Sequence, residues 1–184
     1  YAVKTYEDGD KVNITAAAEG MKAVSSATVV PSRFPLTSIN FVLKGGEPNQ
    51  LQFWIHFTDN AQTKDYYALK VERKRQFWND SKYSVENSSL TLNLDDEPLL
   101  NTSSGLDDIL MIENEFYRNL YYWDDTKIQG KSYKVRLNTN YEADYEDDFI
   151  TPDGVEHIKC QVKYRISLYS LSEEFYRYLK SLND

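Results

Sequence analysis

Carboxylates are the one reactive group that this chain holds in quantity and close together. Glu142, Asp144, Glu146, Asp147 and Asp148 fall in one short stretch. Hard oxygen ligands at such spacing suit calcium, so Asp144, Glu146, Asp147 and Asp148 are the candidate ligands of a cation; the competing reading is a solvated acidic loop. The stretch has no glycine at the sixth position of an EF-hand loop. Asp95, Asp96 and Glu97 carry the same ambiguity. The two histidines, His56 and His157, show no i, i+4 pairing, and Cys160 has no Cys-x-x-Cys partner, so no zinc signature is present. A Ser-His-Asp triad draws its members from distant positions, but no Gly-x-Ser-x-Gly elbow is present. The 7 glycines form no phosphate loop. A carboxylate hydrolase depends on a separation that only a structure measures, so an unrecognised hydrolytic site stays open as an alternative.

Two indoles are the best sign of binding. Trp54 stands on the polar side of an alternating run and Trp78 stands near a strand end. Such rings stack on sugars or pack against a peptide, which makes Trp54 and Trp78 candidate ligand contacts. Cover by a second domain or by a terminal helix is the plainer account of both.

The elements that position these groups are mostly strands. Leu51, Phe53, Ile55 and Phe57 alternate with Gln52, Trp54, His56 and Thr58, a period of two with one dry and one wet face. Tyr66–Arg73 repeats the pattern through Tyr67, Leu69 and Val71, and Tyr133, Val135 and Leu137 repeat it again. Ile158, Cys160, Val162, Tyr164, Ile166 and Leu168 form the longest run. There the period changes: Phe175, Leu179 and Leu182 are spaced as one face of a helix, with Ser170 and Glu173 at capping-box spacing and Ser172 as the alternative N-cap. Residues 9–18 and 22–30 read as a hairpin. Leu90, Leu92 and Leu94 predict a strand over 89–94, residues 106–117 a short helix or irregular chain, and 138–156 an acidic loop. Lys70, Arg73, Lys74 and Arg75 read as a solvated strand end.

Eight or nine short strands between turns, followed by one helix, predict a mainly β fold: an antiparallel β-sandwich of immunoglobulin- or fibronectin-like type with a C-terminal α-helix. Pro31 and Pro35 bracket an extended connector, so residues 1–32 are expected to end an N-terminal β-domain and 33–184 to form the sandwich. Aromatic residues make up 14% of the 184, which suits pleated surfaces and offsets a mean hydropathy of −0.64. The net charge of −8 disfavours nucleic acid as a partner. No apolar run is long enough to span a membrane. A single cysteine cannot form an internal disulfide, and Cys160 reads as a buried small hydrophobe. Asn13, Asn79, Asn87 and Asn101 begin Asn-x-Ser/Thr triplets. The start at Tyr1, inside strand-like sequence, reads as a processed or trimmed terminus.

Several segments resemble one family, the domain of unknown function 4249 of Bacteroidetes lipoproteins. They are Gly9-Asp-Lys-Val-Asn-Ile with Val24-Ser-Ser-Ala-Thr-Val-Val-Pro31, Asp65-Tyr-Tyr-Ala-Leu-Lys-Val, Trp123-Asp-Asp-Thr-Lys-Ile-Gln-Gly-Lys-Ser-Tyr, and the strand and helix from Ile166 to Leu182. The resemblance covers almost the whole chain and rests on structural motifs. It implies an outer-membrane lipoprotein at the cell surface or facing the periplasm, held by a lipid anchor outside these residues. It also implies a non-enzymatic binding or accessory role beside a TonB-dependent transporter, and it brings no catalytic residues. Capture of a glycan or peptide through exposed aromatics is the alternative.

Overall fold

The two-residue alternation builds the first layer of the core. In β4 (Gln50–Thr58), Leu51, Phe53, Ile55 and Phe57 are buried while Gln52, Trp54 and His56 are only half-buried. β4 is the middle strand of an antiparallel sheet, between β3 (Leu36–Leu43) and β8 (Ser132–Asn140). The second sheet has the order β6 (Lys82–Ser89), β5 (Tyr66–Asn79), β10 (Gly154–Leu171), β9 (Tyr145–Thr151), and β7 (Tyr121–Asp124) also pairs with β5. The computed structural model describes residues 5–44, 49–79, 82–100, 119–152 and 154–182.

The two sheets meet face to face. Phe57 of the first lies 5.4 Å from Tyr67 and 6.3 Å from Trp123 of the second, ring centre to ring centre. Around them close Leu51, Phe53, Ile55, Leu69, Val71, Val135 and Leu137. The chain is therefore mainly β with antiparallel sheets. β1 (Lys11–Ala16) and β2 (Val24–Val29) pair only with each other.

The expected terminal helix is α1 (Glu173–Ser181). Its N-cap is Ser172, whose Oγ accepts from the Phe175 N–H at 3.3 Å; Ser170 is still in β10 and caps nothing. α1 lies on the outer side of the second sheet, where Leu179 is buried with Ala68, Leu120, Tyr122 and Leu171. The Tyr122 hydroxyl donates to the Leu179 carbonyl at 3.2 Å.

Four expectations need correction. Residues 138–156 are not a loop, because β9 and the start of β10 form an antiparallel hairpin there. Both faces of that hairpin are mostly wet, so no apolar period marks it. Leu90–Leu94 is not a strand. It makes one bridge, Asn93 to Asn138, while its leucines pack against the core from a loop. The basic cluster is not a solvated strand end: Lys70 is buried, and Arg73 and Arg75 sit inside β5 bonded to Glu142. β5 itself continues six residues past the expected end at Arg73. The element expected over 106–117 lies outside the described residues.

The core takes residues from β5 only as far as Val71 and from β10 only from Tyr164 onward. The remainder of these strands, with β6 and β9, runs on as a four-stranded blade. From Lys163 to Gly154 that is roughly 30 Å of extended chain.

Candidate functional site

Three aspartates from two connections converge at one end of the packed sheets: Asp59 and Asp65 open and close the β4–β5 turn, and Asp125 lies between β7 and β8. One ligand oxygen each from Asp59, Asp65 and Asp125 lies within 4.8 Å of the others, the only such cluster among the described residues. Asp59 follows β4, Asp65 precedes β5, and Asp125 opens a single 3-10 turn after β7. Like charges this close need compensation. Asp59 accepts from the Tyr67 hydroxyl and, at 2.6 Å, from the Gly130 N–H. Asp125, fully buried, accepts from the Asp65 N–H at 2.7 Å and from the Lys64 ammonium. Asp65 accepts from Thr63 at 2.7 Å.

Gly130 is required for this arrangement. Its φ of +68° is left-handed, and a Cβ there would lie 2.8 Å from the Ala61 Cβ. A side chain would push the 59–65 and 128–131 turns apart and draw the Gly130 N–H off Asp59.

Asp65, Tyr67 and Lys64 titrate away from their ordinary values. Burial pushes the Asp65 carboxyl above its ordinary pKa, helped by Asp59 and Asp125. Burial and the bond to Asp59 push the Tyr67 phenol up strongly. For Lys64, burial acts against the charge, but Asp125 and Asp124 outweigh it and raise the pKa. The oxygens of Asp59 and Asp125 are thus engaged by protein donors, with an ammonium supplying the positive charge. These bonds staple the β4–β5 turn to the β7–β8 connection.

The acidic stretch is divided differently. β9 pairs Glu146 with Lys159 at 3.1 Å and Asp148 with His157, cross-strand partners of the hairpin. Asp147, their neighbour between them, accepts from the Asp148 N–H at 2.9 Å. Asp144 accepts from the Val162 N–H at 2.7 Å, and Glu142 bridges Arg73 and Arg75. Strand alternation turns Asp147 away from Glu146 and Asp148, and Asp144, Glu146, Asp147 and Asp148 form no ligand cluster among the described residues.

Trp54 and Trp78 are not brought together either. Trp54 is on the outer face of the first sheet, with the Lys134 ammonium 4.6 Å from its ring centre and its Nε1 donating to Gln52 at 2.6 Å. Trp78 is on the blade, 5.3 Å from Tyr83. Cys160 is buried, and burial pushes its thiol pKa up, away from reactivity.

The sheets part at one side, leaving an apolar cleft of about 600 Å³. Ile39 and Phe41 of β3 form one wall, Val162, Tyr164 and Ile166 of β10 the other, and Leu51 and Phe53 the floor. Glu142 and Asp144 stand at one end, where Glu142 is paired with Arg73 and Arg75 and Asp144 accepts from the Val162 N–H. Phe41 is 69% exposed at its mouth. A second apolar exposure lies at the far end of the blade. There Ile150 and Val155, cross-strand partners in the β9–β10 hairpin, are 91% and 54% exposed. The aspartate cluster escaped sequence reading because Asp125 is 60 positions from Asp65 and β5 to β7 intervene, while Asp59 and Asp65 read only as acids of one polar turn.

No curated protein and no solved structure matches the chain. A family model does, over residues 1–184, and it is described as a domain of unknown function. The chain belongs to that family, DUF4249.

Proposed function

We propose that this protein is a non-enzymatic docking module of an outer-membrane lipoprotein, and that it grips a TonB-dependent transporter through the tip of its blade. The observation that carries the reading is the Ile150–Val155 pair. Two adjacent apolar side chains held in water at the end of a long hairpin cost free energy that contact with a partner recovers. The blade supplies the reach, and the cross-strand bonds of β9 and β10 keep the tip preorganised, so little entropy is lost on contact.

The test is co-purification from native outer membranes. Wild type should recover a transporter, and the Ile150→Asp/Val155→Asp double variant should lose it at an unchanged melting temperature. Failure of the wild type to recover a transporter, or equal recovery by the variant, overturns the reading.

A further inference from the structure

We infer that two copies of this chain associate edge to edge through β3, antiparallel about a two-fold axis at Phe41, to form one continuous sheet. Among the described residues β3 pairs on one side only, with β4. The Lys44 N–H donates to the Gln50 carbonyl at 2.9 Å, so the even-numbered residues of β3 bond to β4. By alternation the N–H and C=O groups of Ile39, Phe41 and Leu43 point to the open edge.

Sheet edges are normally protected by charge, proline or cover. The other edges of the two packed sheets have such protection. On β8 the outer edge is taken by Asn93 and by Glu97, which accepts from the Arg136 N–H at 2.7 Å. β6 carries Lys82 and Glu86, β7 ends in Asp124, and β9 carries Glu146, Asp147 and Asp148. Beyond the end of β9, Asp144 caps the Val162 N–H of β10. β3, Leu-Thr-Ser-Ile-Asn-Phe-Val-Leu, has no charged residue and no proline. β2 of the separate hairpin is also uncharged, but Ser25, Ser26 and Thr28 keep it polar.

Charge and symmetry select the occupant. At a two-fold contact every residue at the axis meets its own copy, so in a chain of net charge −8 an uncharged strand is the edge that like-charge repulsion opposes least. β3 is such a strand. Its pattern is also symmetric about Phe41: with Phe41 opposite its own copy, Ile39 faces Leu43 of the second copy and Leu43 faces Ile39. These three apolar side chains share the cleft face of the sheet, and Asn40 and Val42 pair on the other face. Phe41, 69% exposed in one copy, becomes covered, and each cleft is closed by the other copy.

Sedimentation of the full chain from about 1 to 300 µM tests this, with dissociation constants of about 1–100 µM expected for so small an interface. Raising the salt from about 20 to 500 mM should tighten the dimer by screening the net charge. Phe41→Pro removes an edge donor without taking a bond from β4, and Phe41→Val keeps the donor. Dimerisation should weaken at least about tenfold in Phe41→Pro and by no more than about threefold in Phe41→Val. If Phe41→Pro lowers the melting temperature, Phe41→Cys replaces it. Paired residues of this kind lie about 5.5 Å apart, Cα to Cα, and oxidation should then link two chains, whereas Tyr83→Cys on the β6 edge should not link them. A wild-type monomer across the range, Phe41→Pro as dimeric as wild type, or absence of the Phe41→Cys link overturns the inference. The blade-tip double variant should dimerise as wild type does, so this result and the transporter result fail independently.

Discussion

Replacing Glu97 by alanine should destabilise the fold by about 3–5 kcal/mol. Glu97 is 1% exposed in the loop that crosses the edge of β8. One carboxylate oxygen accepts from the Leu99 N–H at 2.9 Å and the Tyr133 hydroxyl at 2.8 Å, and the other accepts from the Arg136 N–H at 2.7 Å. Alanine strands all three donors. The Leu99 N–H is buried and costs about 1–3 kcal/mol, the Arg136 N–H on the covered edge costs about 1–2, and the Tyr133 hydroxyl, which can turn to water, adds under about 1. Glu97→Gln keeps one acceptor oxygen but sets an amide against the Arg136 N–H, so its cost should be about 1–2 kcal/mol.

The assay is urea unfolding followed by tryptophan fluorescence with the m-value held as a control, since a constant m ties the change to stability. In a thermal melt the alanine variant should fall by about 8–15 °C for a chain of this size. Tyr133 gives a second readout. Burial first, and then the bond to Glu97, push its phenol far above the usual value, so part of that elevation should vanish in Glu97→Ala. A loss under about 1 kcal/mol in the alanine variant, or a glutamine variant worse than the alanine one, would refute the accounting.

Leu179→Ala should cost about 2–4 kcal/mol in the same urea assay, because the side chain is fully buried under α1 against the outer side of the second sheet; a change under about 1 kcal/mol would mean that the helix is not docked there. Asp65→Asn should make stability fall more steeply in acid. The wild-type carboxyl, raised by burial, takes up a proton more readily folded than unfolded, so it favours the folded state as pH drops through its raised pKa. Asp96, held low first by its bond to Asn138, and Asp124, where the Thr126 and Lys64 contacts outweigh burial, act in the opposite sense: they stabilise above the ordinary aspartate range and lose that stabilisation below it. Removing Asp65 leaves only the second effect, and urea midpoints between about pH 3 and 7 report the slope, with an unchanged or shallower slope counting against the assignment.

How far the fold was legible depended on whether a strand had one dry face. β4, β8 and the Tyr164–Leu168 part of β10 stand against the core, and their alternation is plain. β9 and the far half of β5 stand in the blade, where neither face is consistently dry, so the period disappears although the backbone ladder continues. Leu90–Leu94 misled in the opposite way: its leucines reach the core from a loop that pairs only at Asn93. The helix was legible because Phe175, Leu179 and Leu182 keep a strict spacing, while its cap was legible only to within two residues. Glu97 read as one more acid in a polar turn. Its role depends on donors from Tyr133 and Arg136, about forty positions away, and no local pattern carries that.

These buried carboxylates bear on what kind of protein this is. Asp59, Asp125 and Glu97 each tie a loop to a strand end, and their oxygens are already engaged by donors of the same chain. Those hydrogen bonds hold the connections together. The apolar groups at Phe41 and at Ile150 and Val155 are in the reverse condition: they are held in water by rigid strands, with no polar function of their own to satisfy. In a chain of net charge −8 such surfaces persist at a cost in solubility that an acidic periphery offsets. On the proposed reading, association uses the strand edge and the blade tip, while the aspartates hold the connections. Substitutions at the aspartates should register in melting curves, and those at the apolar surfaces in association.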